Sequence, residues 1–205
     1  MPDSRLDPTL GRRDLLVRLA GVALSFTGFT AFRRFAPAAT RVAGPKWDDR
    51  FELAVDLVIA QQQGGRYHRP YVAVWVEDAA GKPVRTLSVW VNTTGRGPRY
   101  IRELRRWSSV ERDEQAAGGP DLVATVSSAT RLPGQYTVTW NGRDDRGNVV
   151  EQGTYRVMIE AAREHGSYQL MQHELTLATT PVAADLPGNE EIGRASCRER
   201  VFRVV

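Results

Sequence analysis

Tyr71-Val72-Ala73-Val74-Trp75-Val76 is apolar at every position, so both faces of an extended chain here would be apolar. Bounded by Pro70 and by the turn-forming Asp78-Ala79-Ala80-Gly81-Lys82-Pro83, it reads as a central strand covered on both sides. Working outward, the period stays at two. Upstream, Phe51, Leu53, Val55, Leu57 and Ile59 alternate with Glu52, Ala54, Asp56 and Val58. Downstream, Leu87, Val89 and Val91 alternate with Ser88, Trp90 and Asn92. Tyr136, Val138 and Trp140 alternate with Thr137 and Thr139. Tyr155, Val157, Ile159 and Ala161 alternate with Arg156, Met158 and Glu160, and a last run from Tyr168 ends in Leu175 and Leu177. Leu132-Pro133-Gly134 and Asp144-Asp145-Arg146-Gly147-Asn148 supply turns between them.

Six or seven short strands rich in β-branched and aromatic residues predict an all-β fold, an immunoglobulin-like antiparallel β-sandwich. One short helical insertion interrupts it. In Pro98–Trp107, helical spacing puts Ile101, Leu104 and Ser108 on one face and Arg99, Arg102 and Arg106 on another. Residues 108–121 read as an acidic, glycine-containing loop.

The chain has 205 residues, enough for one domain with a core. Its single cysteine excludes an internal disulfide framework. The net charge of +4 suggests nucleic acid until the charges are located. Residues 39–190 carry 18 basic and 19 acidic side chains, so the excess lies at the ends and the body has no electrostatic case for nucleic acid.

Residues 1–38 predict an export signal. Gly11-Arg12-Arg13-Asp14-Leu15-Leu16 resembles the twin-arginine motif, and a weakly apolar run, Leu19 to Phe32, follows it. As a helix that run would be about 21 Å long, short of the ~30 Å hydrocarbon core. Ala36-Pro37-Ala38 suits signal peptidase. A periplasmic location in a Gram-negative bacterium follows, for a protein exported already folded. At the other end, Glu191 to Val201 resembles the translation of a sequencing-adapter oligonucleotide. Residues 191–205 are therefore expected to be a non-native tail without apolar periodicity, and Cys197 within it to carry no role. Resequencing the source gene is expected to give a different carboxyl terminus.

Four segments in order, Arg69 to Asp78, Leu104 to Trp107, Ala129 to Gly134 and Glu160 to Gly166, resemble a family of predicted bacterial periplasmic proteins known as a domain of unknown function. The resemblance spans roughly residues 47–190. It implies a genomic setting beside PepSY-type membrane proteins and the enzyme that attaches FMN to extracytoplasmic proteins. It also implies a further terminal strand that the sequence does not display. Trp140 to Val150, followed by Gly153-Thr154-Tyr155, is also similar to the immunoglobulin-like module of flagellar hook-capping proteins, a likeness that speaks only to fold.

Two clusters are candidate sites for a partner or an anion. One is the arginine-rich helix, Arg99, Arg102, Arg105, Arg106 and Trp107, because the guanidinium fork suits phosphate and carboxylate. The other is the strand-end group Arg163, Glu164 and His165, with Arg69 and Arg131 as possible neighbours. The alternatives are a solvated helix face and a salt-bridged hairpin tip. His68, His165 and His173 show no metal-ligand spacing, and Asp144, Asp145 and Asn148 fit an Asp-rich hairpin turn better than a Ca²⁺ loop. No nucleophile elbow, phosphate-cradling glycine loop or flavin-attachment threonine motif is present. The expectation is a non-catalytic, monomeric periplasmic accessory of a PepSY-type, flavin-linked redox or iron-handling system. It would hold no cofactor itself, and flavin would enter only through a partner, a PepSY-type membrane protein or a flavinylated periplasmic protein. The alternatives are a periplasmic redox or hydrolytic enzyme that binds its cofactor before export, and a structural envelope module.

Overall fold

Strand β1 (Phe51–Ile59) buries Leu53, Val55, Leu57 and Ile59 at alternate positions, as its sequence requires. It lies at the centre of a four-stranded sheet, paired antiparallel on one side with β5 (Gly134–Trp140) and on the other with β9 (Ile192–Val201), which in turn pairs with β8 (Ala183–Pro187). The second sheet has five strands in the order β4-β3-β2-β6-β7, formed by β2 (Tyr71–Asp78), β3 (Pro83–Trp90), β4 (Ser127–Ser128), β6 (Gly153–Ala162) and β7 (Tyr168–Leu177). All pairings are antiparallel except the short β3–β4 ladder. The computed structural model describes residues 44–61, 68–164, 166–178, 180–181, 183–188 and 191–201, and the expected export signal lies outside them.

The two sheets close on a core that takes Val72, Val74 and Val76 from β2, Val157, Ile159 and Ala161 from β6, and the alternating apolar set of β1. Trp47, Trp140 and Tyr155 seal it as an aromatic group, with ring centroids 5.5 and 5.7 Å apart for the two pairs that share Trp140. Gly142 makes this closure possible. Its φ is +71°, and a Cβ there would lie 2.0 Å from a Trp47 ring carbon, so backbone strain and steric overlap both exclude a side chain.

β2 is buried from Tyr71 to Glu77 because its other face is also covered. Tyr71, Ala73 and Trp75 join Met158 and Ala162 under a helical strap that contributes Leu104, Trp107, Val110 and Leu122. The strap is a 3-10 helix (Gly97–Glu103), α1 (Arg105–Ala116) and α2 (Leu122–Val126). It is longer than the single insertion the sequence suggests. The acidic stretch after Trp107 continues the helix to Ala116, because Trp107 and Val110 reach the sheet while Arg112 and Asp113 face solvent.

Three further expectations change. The register of β3 shifts between its partners opposite Val74 and Trp75. This bulge turns Leu87 toward the inter-sheet core while Val89 and Val91 face the strap, so the three do not share a face. The described residues form nine strands, two of them after residue 180. Finally, Ile192–Val201 is a strand inside the sheet, so the sandwich continues past residue 190. Its period of two is carried inward by Ala195, Cys197 and Glu199 and outward by Arg194, Arg198 and Arg200. Small and charged inward residues hide that alternation from an apolar count. Among the described residues, no helix is long and apolar enough to cross a membrane.

Candidate functional site

Helix α1 begins at a residue with no capping ability. Leu104 is its N-cap, and no acidic side chain occupies the first turn. The acceptor comes instead from the sheet below. Glu160 of β6, fully buried, accepts the backbone N–H of Arg106 at 2.9 Å with one oxygen and that of Trp107 at 2.8 Å with the other. A carboxylate against the positive end of a helix is favourable both as a hydrogen-bond acceptor and as a charge. Tyr168 also donates its hydroxyl to Glu160, and burial together with that bond pushes the tyrosine up to about 12. A second buried carboxylate, Glu77, accepts the Trp75 indole N–H at 3.0 Å and pairs with Arg106 at 2.6 Å.

These anchors assign the arginines of the strap to two groups. Arg106 turns back onto Glu77 and the Gly81 carbonyl, and Arg105 lies over the Tyr168 ring at 4.8 Å. Trp107 is fully buried, with its indole N–H toward the Thr86 hydroxyl at 3.4 Å. It is therefore core and no contact surface, contrary to the sequence reading, because its neighbour Leu104 and the cap at Glu160 press this turn onto the sheet. Arg96, Arg99 and Arg102 remain exposed. Arg96 is the N-cap of the 3-10 helix and Arg99 and Arg102 lie within it, each three residues on, a spacing at which side chains eclipse, so they form one row. Arg102 donates its Nε to the Arg99 carbonyl at 2.9 Å, and none of the three forms an ion pair among the described residues.

The second expected cluster separates. Arg163 is buried, 7% exposed at its side chain, and its Nη2 lies 2.8 Å from Glu191, which also accepts the Ser167 hydroxyl. Next to it, Gln169 accepts the Ile192 N–H at 3.1 Å. This polar tie joins the β6–β7 hairpin to the start of β9, so Arg163 does not serve as an exposed anion contact. A buried guanidinium needs a carboxylate, and Glu191 is the one the fold brings to it. Glu164 is half-buried and accepts the Tyr71 hydroxyl at 3.1 Å, with His68 Nδ1 3.9 Å away. Burial, then the Glu164 bond, raises the Tyr71 pKa. His165 lies outside the described residues. Arg69 is exposed just before β2. Arg131 lies over Trp90 at 5.6 Å and Tyr136 at 5.9 Å, on the β3–β5 aromatic pair and apart from the strap.

Tyr71, Glu77 and Glu160 lie inside the family-like segments, yet neither they nor Arg96 are singled out there as site residues. The one available signal is a carboxylate at a strap-facing position of an otherwise apolar strand, at Glu77 and Glu160. The Asp144 loop is the hairpin turn its composition predicts, with Asp144 accepting the backbone N–H groups of Arg146 at 2.9 Å and Asn148 at 2.8 Å. Among the described residues no group of three or more His, Cys, Asp or Glu could hold a metal ion. Burial pushes the Cys197 thiol up to about 12, which keeps it protonated and unreactive at neutral pH. Chemically, the buried carboxylates act as acceptors that position the strap, and the exposed feature is a row of guanidinium groups.

A family model described as "Predicted periplasmic protein (DUF2271)" matches residues 52–194. The chain belongs to the DUF2271 family. The matched range takes in every strand from β2 to β8, the strap and the buried tie from Arg163 to Glu191, and the protein is periplasmic as that family is described. No curated protein and no solved structure matches the chain significantly.

Proposed function

We propose that this DUF2271 domain is a non-catalytic periplasmic accessory protein that binds an anionic partner through the exposed side of its strap. The partner we assign is a PepSY-type membrane protein or a flavinylated periplasmic protein of a redox or iron-handling system, with any flavin belonging to the partner. The observation that carries the binding role is the division of the arginines. Arg106 is held by Glu77 and Arg105, though exposed, lies over the Tyr168 ring, whereas Arg96, Arg99 and Arg102 stand in solvent without an ion pair among the described residues. The ordered motifs from Arg69 to Gly166 support the choice of partner through the resemblance they carry.

Co-expression of the tagged full chain with a PepSY-type membrane protein or a flavinylated periplasmic protein tests this reading. Recovery of one of them with a domain that is itself colourless is the expected result. A flavin or haem absorption band in the purified domain, or metal found by elemental analysis, would instead favour a cofactor-dependent enzyme. Failure to recover either partner would remove the assignment.

A further inference from the structure

The spacing of the arginine row constrains its ligand, and this argument rests on the binding role proposed above. In a 3-10 helix three residues advance the chain by about 6 Å, so Arg96, Arg99 and Arg102 span about 12 Å along one line. Arg96 belongs to the row because its backbone is already helical, with φ −89° and ψ −7°. The row ends at Leu104, whose ψ of 74° breaks the repeat and sends Arg105 to Tyr168. Gly97 is what lets the helix begin so close to the preceding loop, because a Cβ there would lie 2.2 Å from the Asn92 carbonyl oxygen. The spacing of the three Cα atoms is thus built into the backbone, while Arg102 also bonds back to the Arg99 carbonyl.

Three arginines anchored about 12 Å apart end to end along one line are spread further than a single phosphate requires. They match an extended ligand with anionic groups repeated at similar intervals. Alternate residues of an extended polypeptide recur every 6.6 Å or so, and a carboxylate accepts a guanidinium fork. A bilayer surface fits less well. The large apolar side chains that stand exposed among the described residues are Leu132 and Leu170, and neither is on the strap, so no residue beside the row is available to enter lipid.

We infer that Arg96, Arg99 and Arg102 form a docking row for an extended acidic segment of a protein partner, with carboxylates on alternate residues. Each pair is solvent-exposed and individually weak, so the row acts through its repetition and is screened by salt.

The test uses the full chain and a fluorescent peptide of strictly alternating Glu and Ser, compared with a peptide of the same composition whose Glu residues form one block. Anisotropy titration is expected to show tighter binding of the alternating peptide. The triple variant Arg96→Gln, Arg99→Gln, Arg102→Gln should weaken that binding about tenfold, the sum of three exposed pairs. A control with Lys82→Gln, Arg146→Gln and Arg200→Gln removes the same charge from exposed positions off the strap and should leave binding near the parent value. Unchanged circular dichroism in both variants shows that the fold is intact.

Equal losses in the two triple variants, or equal affinity for the two peptides, would overturn the row as a specific surface. Capture of phosphatidylglycerol vesicles without binding of either peptide would overturn the choice of a protein ligand. The two proposals also separate. A row variant that still recovers the PepSY-type or flavinylated partner sinks the row and leaves the accessory role standing. A parent chain that recovers no partner, yet binds the alternating peptide through the row, does the reverse.

Discussion

The two faces of β2 are both buried, and by different means. The inward face meets another sheet with Val72, Val74 and Val76, and the sandwich core it enters is apolar around β2, with the buried Glu199 on the more distant β9. The outward face meets helices with Tyr71, Ala73 and Trp75, and there the apolar contacts are interleaved with Glu77 and Glu160. A sheet laid on a sheet has its backbone groups already satisfied by the ladders. A helix that ends on a sheet brings unsatisfied N–H groups with it, so the surface beneath must offer acceptors. Glu160 is that acceptor for α1. The outward core is therefore polar where the helix starts and apolar elsewhere.

The largest test of this contrast removes a strand from the inward side. A chain ending after Glu190 lacks β9, which leaves β1 and β8 without their shared partner and takes Ile192, Ala195 and Cys197 out of the core. Loss of the cooperative thermal transition in circular dichroism is the expected outcome, and a truncated chain that still melts cooperatively would show that the inward core does not need β9.

Next in size is a matched pair of cavities. Leu57→Ala on the inward side and Trp107→Ala on the outward side should each cost about 2–5 kcal/mol in denaturant unfolding. Native-state hydrogen exchange should tell them apart. Leu57→Ala should lower protection in both sheets, whereas Trp107→Ala should release α1 and leave the β5-β1-β9-β8 sheet close to its parent protection, measured relative to global unfolding. If both variants open the whole domain alike, the strap and the sandwich are one cooperative unit and the contrast fails.

Smaller again is Glu160→Gln. It keeps the shape of the side chain but presents an amide donor to one of the two α1 N–H groups, at a cost of about 1–3 kcal/mol. An unchanged melting temperature would mean that the cap is dispensable.

The effect that is smallest near neutral pH is alkaline. Tyr168, on the outward side, is raised to about 12 from an ordinary value near 10, and Cys197, on the inward side, to about 12 from about 8.5. In each case the unfolded chain loses its proton first, so the folded state binds more protons in that window and stability falls as pH rises. The decline should begin above about pH 8.5 for Cys197 and above about pH 10 for Tyr168, and continue toward pH 12. Cys197→Ala and Tyr168→Phe should each flatten their own part of the curve, and a curve unchanged by either variant would remove that group from the account.

The strands from β1 to β7 that carry long side chains at alternate positions are legible in the sequence, because a period of two is a local property. β9 is not, since its inward residues are Ala195, Cys197 and Glu199, and their burial depends on neighbours distant in the chain. The arginine-rich helix is legible as a segment, but its chemistry is not. An α-helical period groups Arg106 with Arg99 and Arg102, whereas the 3-10 period replaces Arg106 with Arg96. That choice turns on Pro98 and on the tight approach of Gly97 to Asn92, a contact across a loop. The Arg163–Glu164–His165 run shows the same limit. Adjacent in sequence, Arg163 turns into a buried ion pair with Glu191 while Glu164 turns to Tyr71.

By itself, then, the sequence determined an all-β body with a central strand at Tyr71–Val76, a basic helical insertion and tight polar turns, because alternation and turn chemistry act over a few residues. Tertiary structure alone decided which charges are buried acceptors and which are exposed donors. The cost of leaving a helix end or a guanidinium unpaired is set by what lies across the interface, and Glu77, Glu160 and Glu191 reach their partners from elsewhere in the chain.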